Sequence, residues 1–458
     1  MNNRGNSRSA PSGKKESQQP DKPGFAARKV AADILGNVVH KKRPLDGELD
    51  ASSGHAGFRA LAGNDRSLVR AIVGASLRRH GEISEILERL LDRPIPEKTG
   101  RVVDILHVAI AQMLFLDIPD RAAVSIAVDH AALDRRARPY KGLVNGVLRR
   151  LGRERSDLVS DLDPERLNTP DWLWQSWTEG YGAETARRIA SAHQSEAALD
   201  LSVKSDPESW AERLDGRVVV RSSVRLKRKG AVEALEGYEE GAWWVQDAAA
   251  SLPARLLGDV HGQRVADLCA APGGKTAQLA AAGAEVTAVD ISKGRLKRLD
   301  ENMQRLNLAV QTVASDLRDY VPAAPFDAVL LDAPCSATGT IRRHPDVAWI
   351  KKPYDIEKLG DIQHLLLDRV LDWVRPGGLI VYCTCSLEKA EGELQADAFR
   401  DRHSGKVELV PVDAQEVGGL PHLISEDGYL RCLPHHKAVA GEEIRGMDGF
   451  FAARFRRS

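Results

Sequence analysis

Apolar and polar positions divide the chain into four stretches of different texture. Residues 1–23 hold Asn, Ser, Gly, Gln, Lys and Pro with almost nothing to bury, which predicts a disordered tail. From 24 to 155 the apolar positions recur at helical spacing. Arg101–Leu116 is apolar nearly all round, through Val102, Val103, Ile105, Leu106, Val108, Ile110, Met113 and Leu114, so a central buried helix is expected. Val124–Leu133 and Leu143–Leu151 carry one apolar face each and read as flanking helices, with a break at Ile118-Pro119-Asp120. This stretch is expected to be an all-helical bundle.

Residues 156–250 are mixed. Gly182–Ala198 reads as a helix, and Leu199–Val203 and Val218–Val220 as short strands, so a small α/β domain is expected, joined to the C-terminal region by Trp243–Asp247. Trp172, Trp174 and Trp177 cluster ahead of it, and the default reading of such a stripe is packing. Residues 251–458 then alternate short apolar runs with helical patterns. The runs are Val265–Leu268, Glu285–Val289, Gln311–Val313, Ala328–Leu331, Leu379–Cys383 and Gly449–Phe455; Thr276–Ala282 and Arg295–Leu306 are helices between them. That alternation predicts a parallel, doubly wound sheet. The last strand comes after a long irregular stretch and is a candidate for antiparallel insertion.

Composition narrows the class. With 43% hydrophobic and 28% charged residues, 458 residues can build ordinary cores in two to four domains. No apolar run approaches the roughly 20 residues of a membrane span, and the polar start has no signal-peptide core. Five cysteines without framework spacing point to free thiols in a reducing cytoplasm. The net charge is zero but uneven: residues 1–155 carry 28 Lys/Arg against 18 Asp/Glu, a net of +10, leaving −10 for the rest. A basic module of this kind suits a polyanionic partner such as nucleic acid.

The candidate chemistry sits at strand ends. After Val265–Leu268 comes a small-residue turn, Cys269-Ala270-Ala271-Pro272-Gly273-Gly274-Lys275-Thr276, where a ligand can approach backbone at a helix N-terminus. The next strand ends in Asp290, 17 residues after Gly273, near the usual spacing for a carboxylate that takes ribose hydroxyls. Asp316 comes after the third strand, where it could reach the adenine or simply be a solvated residue starting a helix, Asp316-Leu317-Arg318-Asp319. Asp332 ends the fourth strand in Asp332-Ala-Pro-Cys335-Ser336, and Cys385 comes after the fifth in Cys383-Thr-Cys385-Ser386. Most cysteines are inert packing. Two after strand ends, each succeeded by Ser, suggest nucleophilic chemistry, for which a site must favour the thiolate over the free thiol of pKa about 8.5. Arg342-Arg343-His344-Pro345-Asp346 puts positive charge beside them, suited to phosphate contacts or to a solvated helix start. Cys383-Thr384-Cys385 could suggest a metal, but it has no second ligand pair and His435-His436 lies far along the chain, so no metal is expected.

Gly274-Lys275-Thr276 also fits half of a phosphate-cradling ATPase loop, although Cys269 stands where the first glycine belongs and Pro272 stiffens the turn. An adenosine cofactor without a triphosphate fits Asp290 better.

These residues together resemble the bacterial ribosomal-RNA cytosine-5 methyltransferases of the RsmB (Sun/Fmu) type, within the wider NOL/NOP/Sun group. The matching stretches are Asp267–Thr276, Asp332–Ser336, Gly339–Asp346, Thr384–Ser386 and Asp448–Phe451, with Gln246–Ser251 as the entry to the catalytic domain. Gly142–Arg149 is similar to the NusB-like domain fused to this type. The resemblance implies a multidomain chain: a tail at 1–23, an all-α NusB-like RNA-binding domain at 24–155, a small α/β linking domain at 156–250, and a Rossmann-like class I methyltransferase domain at 251–458. It implies S-adenosyl-L-methionine bound by Cys269, Ala270, Ala271, Pro272, Gly273, Gly274, Lys275, Asp290, Asp316 and Asp332. It further implies Cys385 as the nucleophile on carbon 6 of a flipped cytosine, Asp332 at the ring nitrogen, and Cys335 in release of the adduct. The partner would be RNA, most naturally small-subunit ribosomal RNA, and a cytoplasmic monomer is expected. DNA cytosine-5 methyltransferases attack from a Pro-Cys dipeptide, which would make Cys335 the nucleophile; the second thiol and the full motif set favour Cys385. A binding or assembly factor with a lost catalytic domain would be expected to lack one of these thiols. Three departures stand out: the polar tail, the absence of an Arg-Val-Asn run at Leu199–Lys204, and Ala337 where glycine is common.

Overall fold

The computed structural model describes residues 22–227, 230–439 and 446–458. Nearly all of the polar segment 1–23 lies outside them. Two compact units emerge. One gathers the described residues up to Asn37 with Gly47–Ser76 and Ile83–Asp161; the other gathers Val38–Asp46, Leu77–Glu82 and Leu162–Ser458.

The first unit is helical. Val102–Phe115 is its central helix, with eleven of 14 residues buried, as the all-round apolar pattern requires. Asp120–Leu133 starts directly after Pro119, four residues ahead of its apolar stripe, because Asp120 and Arg121 supply a polar first turn. Lys141–Val159 runs eight residues beyond its predicted end, and the buried Leu158 anchors an otherwise charged last stretch.

The second unit contains two sheets. The smaller is antiparallel, in the order β2-β3-β1-β4, with β1 Asp200–Val203, β2 Gly216–Val218, β3 Ser223–Leu226 and β4 Trp243–Val245. Trp243–Asp247, read as a connector, thus begins as an edge strand. Ahead of this sheet the helix Asp171–Tyr181 buries Trp177, while Trp174 lies under the guanidinium groups of Arg166 and Arg187.

The larger sheet positions the site. Its strands are β5 Arg264–Leu268, β6 Glu285–Asp290, β7 Gln311–Ala314, β8 Phe326–Asp332, β9 Val374–Thr384, β10 Val407–Leu409, β11 Leu430–Cys432 and β12 Phe450–Arg457. They run in the order β10-β12-β9-β8-β5-β6-β7, with β11 paired to β12. The ladders β7–β6, β6–β5, β5–β8 and β8–β9 are parallel, and β12 inserts antiparallel against β9. Alternate residues feed two cores: Val265, Leu330 and Val381 on one face, Leu268, Leu331 and Tyr382 on the other. Burial on both faces is why these strands read as unbroken apolar runs. β10 and β11, three residues each inside the irregular stretch, carry no such signal.

From β5 the chain winds to β6 and β7 on one side, then crosses to β8 and β9 on the other. β5 and its neighbours therefore form the switch point of strand order, where an open α/β sheet leaves a crevice beyond its carboxyl ends. The register aligns those ends: Leu268 pairs with Val289 and Leu331, and Asp332 with Cys383.

Candidate active site

All ten positions of the expected cofactor cradle lie along the carboxyl edge of the sheet in the second unit. The loop after β5 turns through a cis Ala271–Pro272 bond, with Cys269 and Gly273 at positive φ (60° and 101°). A Cβ on Gly273 would stand 2.7 Å from Leu299 Cγ, so both conformation and space demand glycine there. Gly274 opens the helix Gly274–Ala281.

Asp290 ends β6 with a buried carboxylate. One oxygen accepts Ala271 N–H at 3.2 Å, tying the strand end to the loop; the other accepts Ser292 N–H at 2.8 Å and Arg295 at 2.9 Å. Ile291, immediately after it, is 63% exposed, an apolar surface at the strand end that sequence reasoning passed over. Asp316 is clasped by Arg318, whose side chain and N–H bond its carboxylate and hold it below the ordinary carboxylate range. It is a self-contained turn, not a helix start.

Lys275 and Asp332 form the centre of the edge. Lys275 Nζ lies 2.8 Å from Asp332 Oδ2 and 4.6 Å from the Phe450 ring centroid. Burial works against the ammonium, but Asp332, Cys383 and Asp267 together outweigh it and raise its pKa above the ordinary lysine value. Thr276 gives its hydroxyl to Asp267 Oδ2 at 2.6 Å, inside the core. Asp267 is fully buried with Oδ1 unpartnered, and burial pushes its carboxyl up to about 7. The lysine and threonine that an ATPase loop would commit to phosphates and magnesium are thus committed elsewhere, which removes the ground for that reading.

The two cysteines meet. Cys335 Sγ lies 3.5 Å from Cys385 Sγ, and both thiols are free and half-buried. The hydrogen bond to Cys385, then burial, raise the Cys335 thiol well above the ordinary cysteine value. Cys383, buried in β9, approaches Asp332 Oδ1 at 3.6 Å and is likewise pushed up by burial. Gly339 holds the approach: its N–H donates to Cys385 O at 3.0 Å and its carbonyl accepts Gly449 N–H at 2.8 Å. Ala337 occupies the left-handed region at φ 62°. The departure from the family pattern at this position therefore falls where glycine would relieve strain.

Arg342 and Arg343 divide. Arg342 is 1% exposed, so it is not the surface phosphate contact expected of it; the loop folds it inward among Asp247 and Asp448. Arg343 keeps 40% side-chain exposure and grips Asp448 at 2.5 and 2.7 Å, within electrostatic reach of Cys385. Burial and the neighbouring Arg343 act oppositely on Asp448, and burial wins, pushing it up to about 6. The stretch Asp448–Phe451 thus serves the site three times, through Arg343, Gly339 and Lys275. Among the described residues, no cluster of His, Cys, Asp and Glu is arranged to hold a metal, and no helix is long and apolar enough to cross a membrane.

Comparison with known proteins decides the family. The family model described as 16S rRNA methyltransferase RsmB/F matches residues 254–456, and the NusB family model matches 26–153. The ribosomal RNA small subunit methyltransferase B of Erwinia tasmaniensis is 34% identical over 415 residues, covering 85% of this chain and 94% of that protein. Its Vibrio cholerae counterpart is 34% identical over 444 residues, covering 93% and 96%. The chain belongs to the RsmB/F methyltransferase family. It is an S-adenosylmethionine-dependent RNA methyltransferase. The solved structure of PH0851 shares the fold with a TM-score of 0.72 at 23% identity, covering 96% of this chain and all of that one. A methyltransferase homolog from Pyrococcus horikoshii aligns at TM-score 0.51 and 27% identity, covering 62% of this chain and 94% of that one.

One buried group of this family member has no signal in the sequence. Glu391, in Lys389-Ala-Glu-Gly-Glu393, reads as part of a solvated charge run, yet its side chain is fully buried between the two cysteine loops. Nothing in the local pattern separates it from its neighbours.

Proposed function

We propose that the chain transfers a methyl group from S-adenosylmethionine to carbon 5 of a cytosine in 16S ribosomal RNA, through a transient bond to Cys385. The observation that carries this reading is the pair of free sulfurs 3.5 Å apart at the ends of β8 and β9, beside the Lys275–Asp332 pair.

The cradle suits the cofactor. Glycine backbone at the turn after β5 and carboxylates ending the strands on either side of it (Asp290 on β6 and Asp332 on β8, with Asp316 beyond β7) match a cationic sulfonium bearing an adenosine, and exposed Ile291 offers apolar surface for the base. When bound, the sulfonium supplies the electrophilic methyl. The chain's own groups do the rest. Cys385 Sγ adds to carbon 6 as the thiolate, with the Arg343 guanidinium in electrostatic reach. The electrons of the carbon 5–carbon 6 double bond move toward the ring nitrogen, where the Lys275–Asp332 pair meets the developing charge with its shared proton. Carbon 5 is then nucleophilic. After methylation the carbon 5 proton leaves to a base, the double bond reforms, and Cys385 departs with the electron pair; Cys335 is placed to serve this elimination. Covalent addition divides one difficult step into easier ones. The Arg343 guanidinium, within electrostatic reach of Cys385, supports Cys385, rather than the Pro-Cys thiol, as the attacker. Extruding the base costs a few kcal/mol, less in a loop than in a duplex. Five free cysteines fit work in a reducing cytoplasm.

The test is to incubate the full chain with labelled S-adenosylmethionine and 16S ribosomal RNA, then map 5-methylcytosine by sequencing. Label at one cytosine supports the reading. Label on another base or another atom overturns the cytosine-5 assignment, and no label on free RNA or small-subunit particles overturns the substrate.

A further inference from the structure

Between the cysteine loops sits a carboxylate that the proposed chemistry does not use. Glu391 Oε1 accepts Ser336 N–H at 2.9 Å and Gln363 Nε2 at 3.2 Å. Oε2 accepts the Ser386 hydroxyl at 2.6 Å and a shorter bond from the Ser336 hydroxyl. Ser336 adjoins Cys335 and Ser386 adjoins Cys385, so one carboxylate holds the residue after each thiol. Gln363 also donates to Pro334 O at 2.9 Å, on the other side of Cys335. The backbone of Glu391 is itself fixed, since its carbonyl accepts the Tyr382 hydroxyl at 2.7 Å and the Thr384 hydroxyl at 3.3 Å.

A carboxylate stripped of water is costly unless its lone pairs are filled. Here four donor groups converge on it, and charge-assisted hydrogen bonds are roughly twice as strong as neutral ones. A fold needing only filled space would be served by an apolar side chain. What the carboxylate adds is one acceptor shared by two loops that otherwise belong to different strand ends.

We propose that Glu391 is a positioning residue: through Ser336 and Ser386 it clamps the Cys335 and Cys385 loops together and sets the separation of the two sulfurs. The purpose of the clamp rests on the cysteine-adduct reading above; the clamp itself does not.

The experiment uses the full chain and dibromobimane, which becomes fluorescent when it bridges two nearby thiols, with the bridged peptides mapped by mass spectrometry. The parent is expected to bridge Cys335 to Cys385. Glu391→Ala should lower the bridging rate at least tenfold and kcat about 100-fold, as a displacement near 1 Å does, with cofactor Kd and RNA KM within twofold. Glu391→Gln, which preserves shape and most hydrogen bonds, should recover most of both losses. Parental bridging and kcat in folded Glu391→Ala would overturn the clamp. If that variant does not fold, the Ser336→Ala/Ser386→Ala double variant replaces it: reduced bridging supports the clamp and parental bridging overturns it. Because bridging does not depend on turnover, the two readings fail differently. Lost bridging with unimpaired methylation would overturn the two-sulfur chemistry, and unchanged bridging would overturn the clamp alone.

Discussion

Replacing Gly339 by alanine adds one methyl group at the most crowded point of the site. The new Cβ would stand 2.1 Å from Gly449 O and 2.8 Å from Cys385 O, both backbone atoms. Carbon and oxygen do not approach below about 3 Å, so one of the two segments must retreat by roughly 1 Å. Neither can rotate away as a side chain would. Retreat on the Gly449 side strains the 2.8 Å bond from Gly449 N–H to Gly339 O and the start of β12; retreat on the other side moves Cys385 directly. Overpacking of one methyl costs typically 1–3 kcal/mol, and the upper half of that range applies where backbone must yield. A catalytic sulfur displaced by about 1 Å costs on the order of 100-fold in rate. Urea unfolding and single-turnover methylation read the two consequences. A Gly339→Ala chain with the parental urea midpoint and parental turnover would refute the argument that this close approach holds Cys385 in place.

Ala337→Gly should act oppositely. It removes a left-handed alanine and should stabilise by about 1 kcal/mol, read as a higher urea midpoint with turnover unchanged. Cys385→Ala should abolish methylation while calorimetry finds cofactor affinity within about twofold, because the cradle lies on other strand ends. Lys275→Met should leave Asp332 without its 2.8 Å partner and lower turnover by about 100-fold, with far-UV circular dichroism unchanged. His193 is buried, and desolvation lowers its pKa to about 3, so it stays neutral in the fold. The unfolded chain takes up a proton near pH 6.5 that the fold refuses, so this histidine withdraws stability as pH falls from 6.5 toward 3, by up to about 1.4 kcal/mol per pH unit. Asp448, raised to about 6, acts in the other sense. The contribution is therefore isolated by comparing the stability slope of His193→Gln with the parent between pH 7 and 5, where the variant should be flatter.

Much of the site was legible because parallel strands buried on both faces announce themselves as apolar runs, and the chemistry stands at their ends. Asp290, Asp332, Cys335 and Cys385 needed only that geometry to be placed along one edge. The sulfur–sulfur approach was not legible, since it depends on the register that pairs Asp332 with Cys383. Side-chain commitments were also hidden. Asp316 is occupied by Arg318, Asp290 by Arg295, and Arg342 is turned inward. Glu391 was invisible for a related reason: a buried acid in a charged run looks like any solvated one until Gln363 and Ser336, 28 and 55 residues away in sequence, join Ser386 around it. The short strands β10 and β11 are set by pairing with β12 and not by local pattern.

Covalent attack by Cys385 is read on a denaturing gel of Cys335→Ala after incubation with S-adenosylmethionine and 16S ribosomal RNA. A slow-migrating protein–RNA band is expected, and it should disappear when Cys385 is also replaced. A band that survives loss of Cys385, or one that forms in Cys385→Ala but not in Cys335→Ala, would contradict attack by Cys385 and move the nucleophile to another residue.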